Sequence, residues 1–286
     1  RPDYRRGALA VRLLNMFRQP CFPVTIAFGV GPAVVPLYTA LRARVLETIP
    51  RHMAIFPGAV ERVSHLLHLT YPDWPAVRVH ALAKALRYPQ SGAEAGPHRT
   101  TIPPQWDTQD WPHWAACTVG AARDTAYLRW RYQNHPDFTY RILAVREGKR
   151  TGLAVWRLET IYHATPQGRE PVDRIGRLVE FLPASQANAQ ALLACFWQAL
   201  RDADAIGADY YGYHGGIGAW LHAAGFHALQ PCADGLAMPA RFQPLDGQGG
   251  RIFSAVFAPN DVPACTATAE CPWYWTKSDA DQDRPN

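Results

Sequence analysis

A short basic loop near the start of the chain carries the residues best suited to bind an anion. It consists of Arg5, Arg6, Gly7, Ala8, Leu9 and Ala10, and it leads into an apolar segment predicted to be helical over about residues 7–18. The first N–H groups of a helix lack intrahelical partners, and the helix dipole favours negative charge there. Two arginines at this end are unfavourable unless an anion is present. The loop therefore predicts a phosphate-binding turn, and we expect the strand that would precede it to lie before Arg1.

Three alternating carboxylates near the other end are a second set of candidate ligands. In an extended strand, Asp279, Asp281 and Asp283 would project to one side, as carboxylates that bind a divalent cation do. Chain termini are usually loosely held, however, so we favour a solvated tail and predict no metal site.

A cluster of large side chains occupies one predicted helix over residues 124–132. Tyr127, Trp130 and Arg131 are spaced i, i+3, i+4, which places them on one helix face. A catalytic role and a packing role both fit this spacing. We favour core packing, with Arg131 in a buried ion pair.

Composition excludes several classes of protein. The 286 residues, 48% hydrophobic and 19% charged, are typical of a globular protein with two domains. A net charge of +5 with no basic run and interleaved aromatics does not predict nucleic-acid binding. None of the six cysteines forms a CxxC pair, which argues against a zinc ribbon, and reduced core cysteines favour the cytoplasm.

The uncharged stretch over residues 19–41 resembles a membrane span in hydropathy alone. Four prolines and two glycines interrupt it, and prolines at that density break a helix. We therefore predict no membrane span and interpret the stretch as a buried strand, a turn and a short helix.

The elements that would position these residues alternate between helix and strand. After the first helix we predict a buried central strand at 22–28, a helix from Pro36, strands at 45–49 and 53–56, and helices at 59–69 and 74–86. A second set follows. It contains the helix at 124–132, strands at 140–146, 152–162 and 177–182 with a hairpin turn at 147–149, a helix at 186–203, a strand at 208–213, a helix at 218–224 and a strand from 227.

This order predicts an α/β fold with mixed central sheets flanked by helices. Both sets run helix, strand, helix, strand, which favours duplication of one fold. The predicted boundaries are an incomplete first domain over 1–87, a Pro- and Gly-rich linker over 88–112, a second domain over 113–260 and a tail over 261–286.

The opening loop resembles the cofactor loop of the GNAT acyltransferase superfamily. That loop reads Arg/Gln-x-x-Gly-x-Gly/Ala, opens a helix and holds the pyrophosphate of acyl-coenzyme A. Arg5 through Ala10 match its spacing, with Ala8 in place of the first glycine, and Pro2-Asp3-Tyr4 looks like the usual lead-in. The resemblance implies two GNAT-like domains and acetyl-coenzyme A, or another acyl-coenzyme A, as co-substrate.

The resemblance also implies two catalytic candidates. Tyr38 lies where the family often has a tyrosine that protonates the departing thiolate, and Glu180 lies on the strand that often carries a general base. From the residues alone we favour structural roles, with Tyr38 as a packing residue of an amphipathic helix and Glu180 on an exposed strand face. The second set departs from the pattern, because Leu221 stands at the tyrosine position before Gly225-Phe226 and the loop at 186–191 has no glycine.

Two further segments resemble GNAT proteins encoded with bacterial cell-surface polysaccharide genes. They are residues 123–136 and the ending from Trp273 to Asn286. The resemblance implies an N-acyltransferase whose acceptor is a small-molecule amine, such as an amino sugar or a polysaccharide precursor. Two alternatives stay open: a peptidoglycan-type aminoacyltransferase, whose coiled-coil arm has no counterpart in this sequence, and a non-catalytic GNAT-like binding protein.

Overall fold

A computed structural model describes residues 25–46, 50–88, 95–229, 253–257 and 273–279, two short strands at 241–242 and 245–246, and residues 11, 12 and 16. The contacts divide the chain into two compact units. Unit 1 comprises residues 1–49 and 250–270, and unit 2 comprises residues 50–249 and 271–286. Each unit is described by itself below.

Among its described residues, unit 1 contains a three-stranded antiparallel sheet and a short helix that follows the first strand. Its strands are β1 (Thr25–Val30), β2 (Arg44–Leu46) and β11 (Phe253–Phe257), in the order β1-β11-β2. The helix α1 (Val35–Ala40) follows a 3-10 turn at Pro32–Val34, and Pro36 lies in its first turn as predicted. The predicted central strand at 22–28 is instead an edge strand in the described sheet, and Ile26 is 36% exposed.

Unit 2 is built on a mixed sheet that has helices on both faces. Its strands are β3 (Arg51–Ile55), β4 (Arg141–Glu147), β5 (Arg150–Thr165), β6 (Gly168–Leu182), β7 (Gly207–Tyr213), β8 (His227–Leu229) and β12 (Trp275–Thr276). The strand order is β4-β5-β6-β7-β3-β8, and the short strand β12 also pairs with β7. A separate hairpin consists of β9 (Arg241–Phe242) and β10 (Leu245–Asp246).

The described helices of unit 2 are α2 (Val60–Thr70), α3 (Ala76–Ala85), α4 (Trp111–Cys117), α5 (Thr125–Leu128), α6 (Gln186–Asp202) and α7 (Gly215–Ala223). All except α4 lie where the periodicity of the sequence predicted a helix. Two π-helical turns, Trp106–Asp110 and Arg129–Gln133, adjoin α4 and α5. The mixed α/β class predicted from the order of elements is confirmed.

The two faces of the sheet pack against different helices. On one face, Trp156 of β5 contacts Phe196 of α6, and their ring centroids are 5.4 Å apart. On the other face, Met53 and Ile55 of β3 belong to a fully buried apolar cluster with Val63 of α2 and other side chains of α2 and α3. Because both faces are covered, polar side chains on the central strands are buried unless they lie at a strand end.

The units group the residues differently from the predicted boundaries. Strand β3, which the boundary at 87 places in the first domain, lies between β7 and β8 of unit 2. The predicted linker includes the fully buried Trp106 and a two-way backbone pairing of Arg99 with Ala144. The predicted tail includes Trp273, which is 3% exposed. Local polarity indicated a linker and a tail, but a few large apolar side chains fix both segments to the sheet.

The described residues include no helix of the length and apolar character that a membrane crossing requires.

Candidate functional site

The sequence-predicted site residues fall in different parts of the chain. The loop from Arg5 to Ala10 lies outside it. Tyr38 is on α1 of unit 1, half-buried, with its ring 5.7 Å from the ring of Phe257. Glu180 is on β6 of unit 2 and is fully buried.

The parallel strands of unit 2 separate next to Glu180. Strands β6 and β7 are joined by α6 and pair over only three residues, Gly176–Leu178 with Ala208–Tyr210. Beyond Tyr210, the partner of β7 is β12, which pairs with Gly212 and Tyr213. In α/β sheets, ligands bind outside the carboxyl ends of parallel strands at such a point.

In this protein the opening between β6 and β7 is filled by the chain itself, through residues 273–279. Ser278 donates a hydrogen bond to the Val179 carbonyl at 3.3 Å, and the Tyr274 hydroxyl accepts one from the Phe181 amide at 3.1 Å. The segment thus contacts β6 on one side and β7 on the other.

Four side chains surround the Glu180 carboxylate: Arg123, Tyr132, Tyr274 and Ser278. We call these residues, with Glu180 and Asp279, the Glu180 network. Glu180 Oε1 accepts hydrogen bonds from Arg123 Nε at 2.9 Å and from the Tyr132 hydroxyl at 2.6 Å. The Tyr274 hydroxyl donates to Oε2 at 2.5 Å, and Ser278 Oγ lies 3.4 Å from Oε1. Burial raises the pKa of Glu180 above its ordinary value, although the Arg123 guanidinium opposes that shift.

Arg123 joins the network to the C-terminal segment. Its Nη2 donates to Asp279 at 2.6 Å, and its Nη1 donates to the Ala121 carbonyl at 2.9 Å. The guanidinium is fully buried, and its carbon lies 4.9 Å from the centroid of the Tyr127 ring. One arginine thus pairs with two carboxylates that are far apart in sequence.

The network restricts what Glu180 can do chemically. A general base must lie within hydrogen-bond reach of the group whose proton it accepts. Both oxygens of Glu180 already accept hydrogen bonds, and the residue has no exposed surface. An amine would have to displace Tyr132 or Tyr274 to reach this carboxylate.

The start of α6 is the segment of the second predicted domain that corresponds to the cofactor loop. Some of its backbone amides donate hydrogen bonds to side chains of the same segment. Ser185 Oγ accepts a hydrogen bond from the Asn188 amide at 3.1 Å, and Asn188 Oδ1 accepts one from the Ala184 amide at 3.0 Å. Asn188 is buried and also donates to the Val145 carbonyl at 2.9 Å. Two amides that would otherwise face an anion are therefore already satisfied.

A second buried polar cluster crosses the sheet on the other side of the same segment. Asp209 of β7 lies 2.8 Å from Arg51 Nη2 and 3.2 Å from Arg177 Nε. These guanidinium groups lower the pKa of Asp209 to about 2, against the opposing effect of burial. Glu159 lies 2.8 Å from Arg157 Nη2 and 2.9 Å from Arg177 Nη1, although neither contact is aligned as a hydrogen bond.

Lys277 extends this cluster from the C-terminal segment. It is 8% exposed, and its Nζ lies 4.7 Å from the centroid of the Tyr211 ring. Burial, followed by the positive charge of Arg177, lowers the pKa of Lys277 to about 7. As far as the structure describes the chain, its amine has no hydrogen bond.

Several sequence-based interpretations change in this region. Tyr127 is half-buried, but Trp130 is 68% exposed, so the three residues do not pack together into the core. Arg131 donates to the Ser278 carbonyl at 3.2 Å. Asp279 pairs with Arg123 and is not in a solvated tail, and the described residues include no cluster of three or more metal-binding side chains.

Arg123, Tyr132 and Tyr274 were not predicted from the sequence to surround Glu180. Arg123 and Tyr132 lie in the segment that resembles polysaccharide-associated proteins, and Tyr274 lies in the similar C-terminal ending. The presence of both segments in one chain was the sequence feature that could have indicated this group. These two segments supply every partner of Glu180 described above.

The comparisons with known proteins add no further assignment. No protein-family model matches the chain, and no curated protein matches it significantly.

Proposed function

We propose that this chain is an acyl-coenzyme A-dependent N-acyltransferase of the tandem GNAT-like type. In this proposal the first half of the chain, which begins with the loop from Arg5 to Ala10, binds the cofactor, and unit 2 is a non-catalytic partner domain. In the proposed reaction an amine attacks the thioester carbonyl, a backbone N–H polarises the carbonyl oxygen, and the thiolate leaves protonated. The acceptor class that we propose is an amino sugar or another polysaccharide precursor.

The observation that supports a non-catalytic role for unit 2 is that the opening between β6 and β7 is occupied. Residues 273–279 fill it, and the Glu180 carboxylate inside is fully hydrogen-bonded. The start of α6 likewise has amides satisfied by Ser185 and Asn188. These contacts support a cofactor site elsewhere, and the loop from Arg5 to Ala10 is the segment whose sequence fits that role.

The catalytic assignment follows from the same contacts. Tyr38 remains the proposed general acid, because it lies in the same unit as the loop from Arg5 to Ala10 and is only half-buried. We propose that Glu180 has a structural role in the Glu180 network rather than the role of general base.

Acetyl-coenzyme A binding measured by calorimetry on the full chain tests this proposal. We expect saturable binding that Ala8→Asp abolishes, because a carboxylate at a phosphate-binding turn repels the anion. Ala187→Asp is the matched control, since Ala187 is exposed in the first turn of α6 and an aspartate there is favourable for the helix dipole.

Two outcomes would contradict the proposal. No heat from a folded wild-type chain would exclude acyl-coenzyme A as the cofactor. Loss of binding in Ala187→Asp with retention in Ala8→Asp would place the cofactor at α6. Leu221, by contrast, is fully buried and unsuitable as a control position, because truncating it would destabilise unit 2.

The same occupied opening favours a second function, that of a GNAT-like protein which binds a saccharide without transferring an acyl group. In that case acetyl-coenzyme A would give no heat, while an amino sugar would bind to the folded chain.

A further inference from the structure

A cavity of about 360 Å³ lies beside the β4–β5 hairpin of unit 2, within the size range of small-molecule sites. Its lining includes Arg99 and Gln105 from the segment before α4, and Ala144, Arg146 and Thr151 from the hairpin. It is separate from both the Glu180 network and the Asp209 cluster.

The backbone holds the cavity residues in fixed positions. Arg99 extends the sheet at its β4 edge, since it donates to the Ala144 carbonyl at 2.9 Å and accepts from the Ala144 amide at 2.8 Å. Arg146 and Ala144 are two residues apart on β4 and therefore share a face, and Thr151 of β5 is the cross-strand partner of Arg146.

Two guanidinium groups supply the positive charge of the cavity. Arg146 donates its Nε–H to the Gly148 carbonyl at 2.9 Å, and its two terminal nitrogens have no acceptor among the described residues. The Arg99 side chain makes no hydrogen bond or ion pair with any residue that the structure describes. Gln105 Nε2 donates to Thr151 Oγ1 at 3.4 Å, which joins two of the polar side chains that line the cavity.

Two carboxylates near the hairpin lie outside the cavity, although the charge of Arg146 acts on one of them, Asp110. The Glu147 side chain lies on the opposite face by strand alternation, where Ser185 Oγ donates to it at 2.6 Å. Asp110 is 3% exposed and accepts from the Thr151 amide at 2.8 Å, and burial raises its pKa above the ordinary value. Neither carboxylate lines the cavity.

We propose that this cavity is a binding site for a small molecule that carries a phosphate group, held by Arg99 and Arg146. Guanidinium groups bind phosphate oxygens through paired, charge-assisted hydrogen bonds, and two of them on fixed backbone match a doubly charged group. The site is independent of the acyl-transfer proposal, because none of its residues belongs to the cofactor loop or to the Glu180 network.

Calorimetry with glucose 6-phosphate, glucose and glucuronate on the full chain tests the site. We expect saturable binding of glucose 6-phosphate, no binding of glucose, and at least about tenfold weaker binding of the singly charged glucuronate. Arg99→Gln and Arg146→Gln should each weaken glucose 6-phosphate binding at least about tenfold, the value of one hydrogen bond to a charged group.

Lys149→Gln is the matched control. Lys149 is an exposed cation on the same hairpin turn but does not line the cavity, so its loss should leave the affinity unchanged. Equal weakening by Lys149→Gln would show non-specific attraction, and absence of saturable glucose 6-phosphate binding, or equal binding of glucose, would overturn the site.

Acetyl-coenzyme A separates this proposal from the previous one, because it also carries phosphate groups. We expect the double variant Arg99→Gln/Arg146→Gln to lose glucose 6-phosphate and to retain acetyl-coenzyme A. Loss of both ligands in that variant would overturn a separate phosphate site. If wild type binds glucose 6-phosphate but not acetyl-coenzyme A, the phosphate site stands and the acyl-transfer proposal fails.

Discussion

Replacing Arg123 by methionine should destabilise unit 2 more than any single change at its surface. The guanidinium is fully buried and lies 2.9 Å from Glu180 and 2.6 Å from Asp279. Methionine fills a similar volume but removes the positive charge and three hydrogen-bonding nitrogens. Glu180 would then remain buried with only hydroxyl partners.

The structure sets the magnitude of this loss. Breaking a buried ion pair by removing one partner costs about 3–5 kcal/mol, because an uncompensated charge remains. Glu180 has no exposed surface and can escape the penalty only by taking up a proton, whereas Asp279 is 13% exposed and can be partly solvated. We therefore expect Arg123→Met to lower the free energy of unfolding by about 3–5 kcal/mol at neutral pH.

Urea denaturation followed by tryptophan fluorescence measures this quantity for unit 2 alone. All ten tryptophans of the chain lie in that unit, so unfolding of unit 1 does not contribute to the signal. In Arg123→Met the pKa of Glu180 should rise further. The folded state then holds a proton that the unfolded state releases, so stability falls as pH rises from the unfolded to the folded pKa, and the loss should be larger at pH 8 than at pH 5.

Two control variants make the result decisive. Arg129→Met removes an exposed arginine from the neighbouring π-helical turn and should cost less than about 0.5 kcal/mol. The double variant Arg123→Met/Glu180→Gln leaves no unpaired charge at position 180 and should recover about 1–2 kcal/mol relative to Arg123→Met. A loss in Arg123→Met no larger than that in Arg129→Met would refute the ion-pair reasoning.

The second buried cluster leads to two further predictions. Asp209 has its pKa lowered to about 2 from 3.8, so its stabilisation is complete above about pH 4 and is lost as pH falls through 2. Asp209→Asn should remove that acid dependence, about 2 kcal/mol between pH 5 and pH 2, in urea titrations; an unchanged slope would contradict it. Lys277, whose pKa is lowered to about 7 from 10.5, makes folding more favourable as pH rises from 7 to 10. Lys277→Met should remove this pH dependence of the free energy of unfolding and should stabilise unit 2 at pH 6. If the variant is less stable than wild type at pH 6, the ammonium charge contributes to stability and the prediction is wrong.

Local structure was largely predictable because it depends on neighbours in the sequence. The apolar periodicity of residues 186–203 predicted α6, observed at Gln186–Asp202, and the hairpin turn at 147–149 was confirmed. Gly148 has a φ of 58°, a conformation that glycine adopts readily, so the turn was already specified by its residue types.

The candidate sites were less predictable because their residues are distant in sequence. Glu180, flanked by apolar residues on a strand, fits an exposed face in the sequence, but the structure buries it completely. Its partner Arg123 is 57 residues away, and Asp279 is 156 residues from Arg123. No local pattern specifies pairs at such separations, and only the filled opening between β6 and β7 brings them together.

The sequence by itself determined the α/β class, most helices and strands, and an opening loop whose chemistry suits an anion. The tertiary structure alone decided that β3 joins the sheet of unit 2 and that residues 273–279 lie between its parallel strands. The physical reason is that periodicity records which side of an element is apolar, whereas strand order and buried charge pairs depend on which distant surfaces fit together.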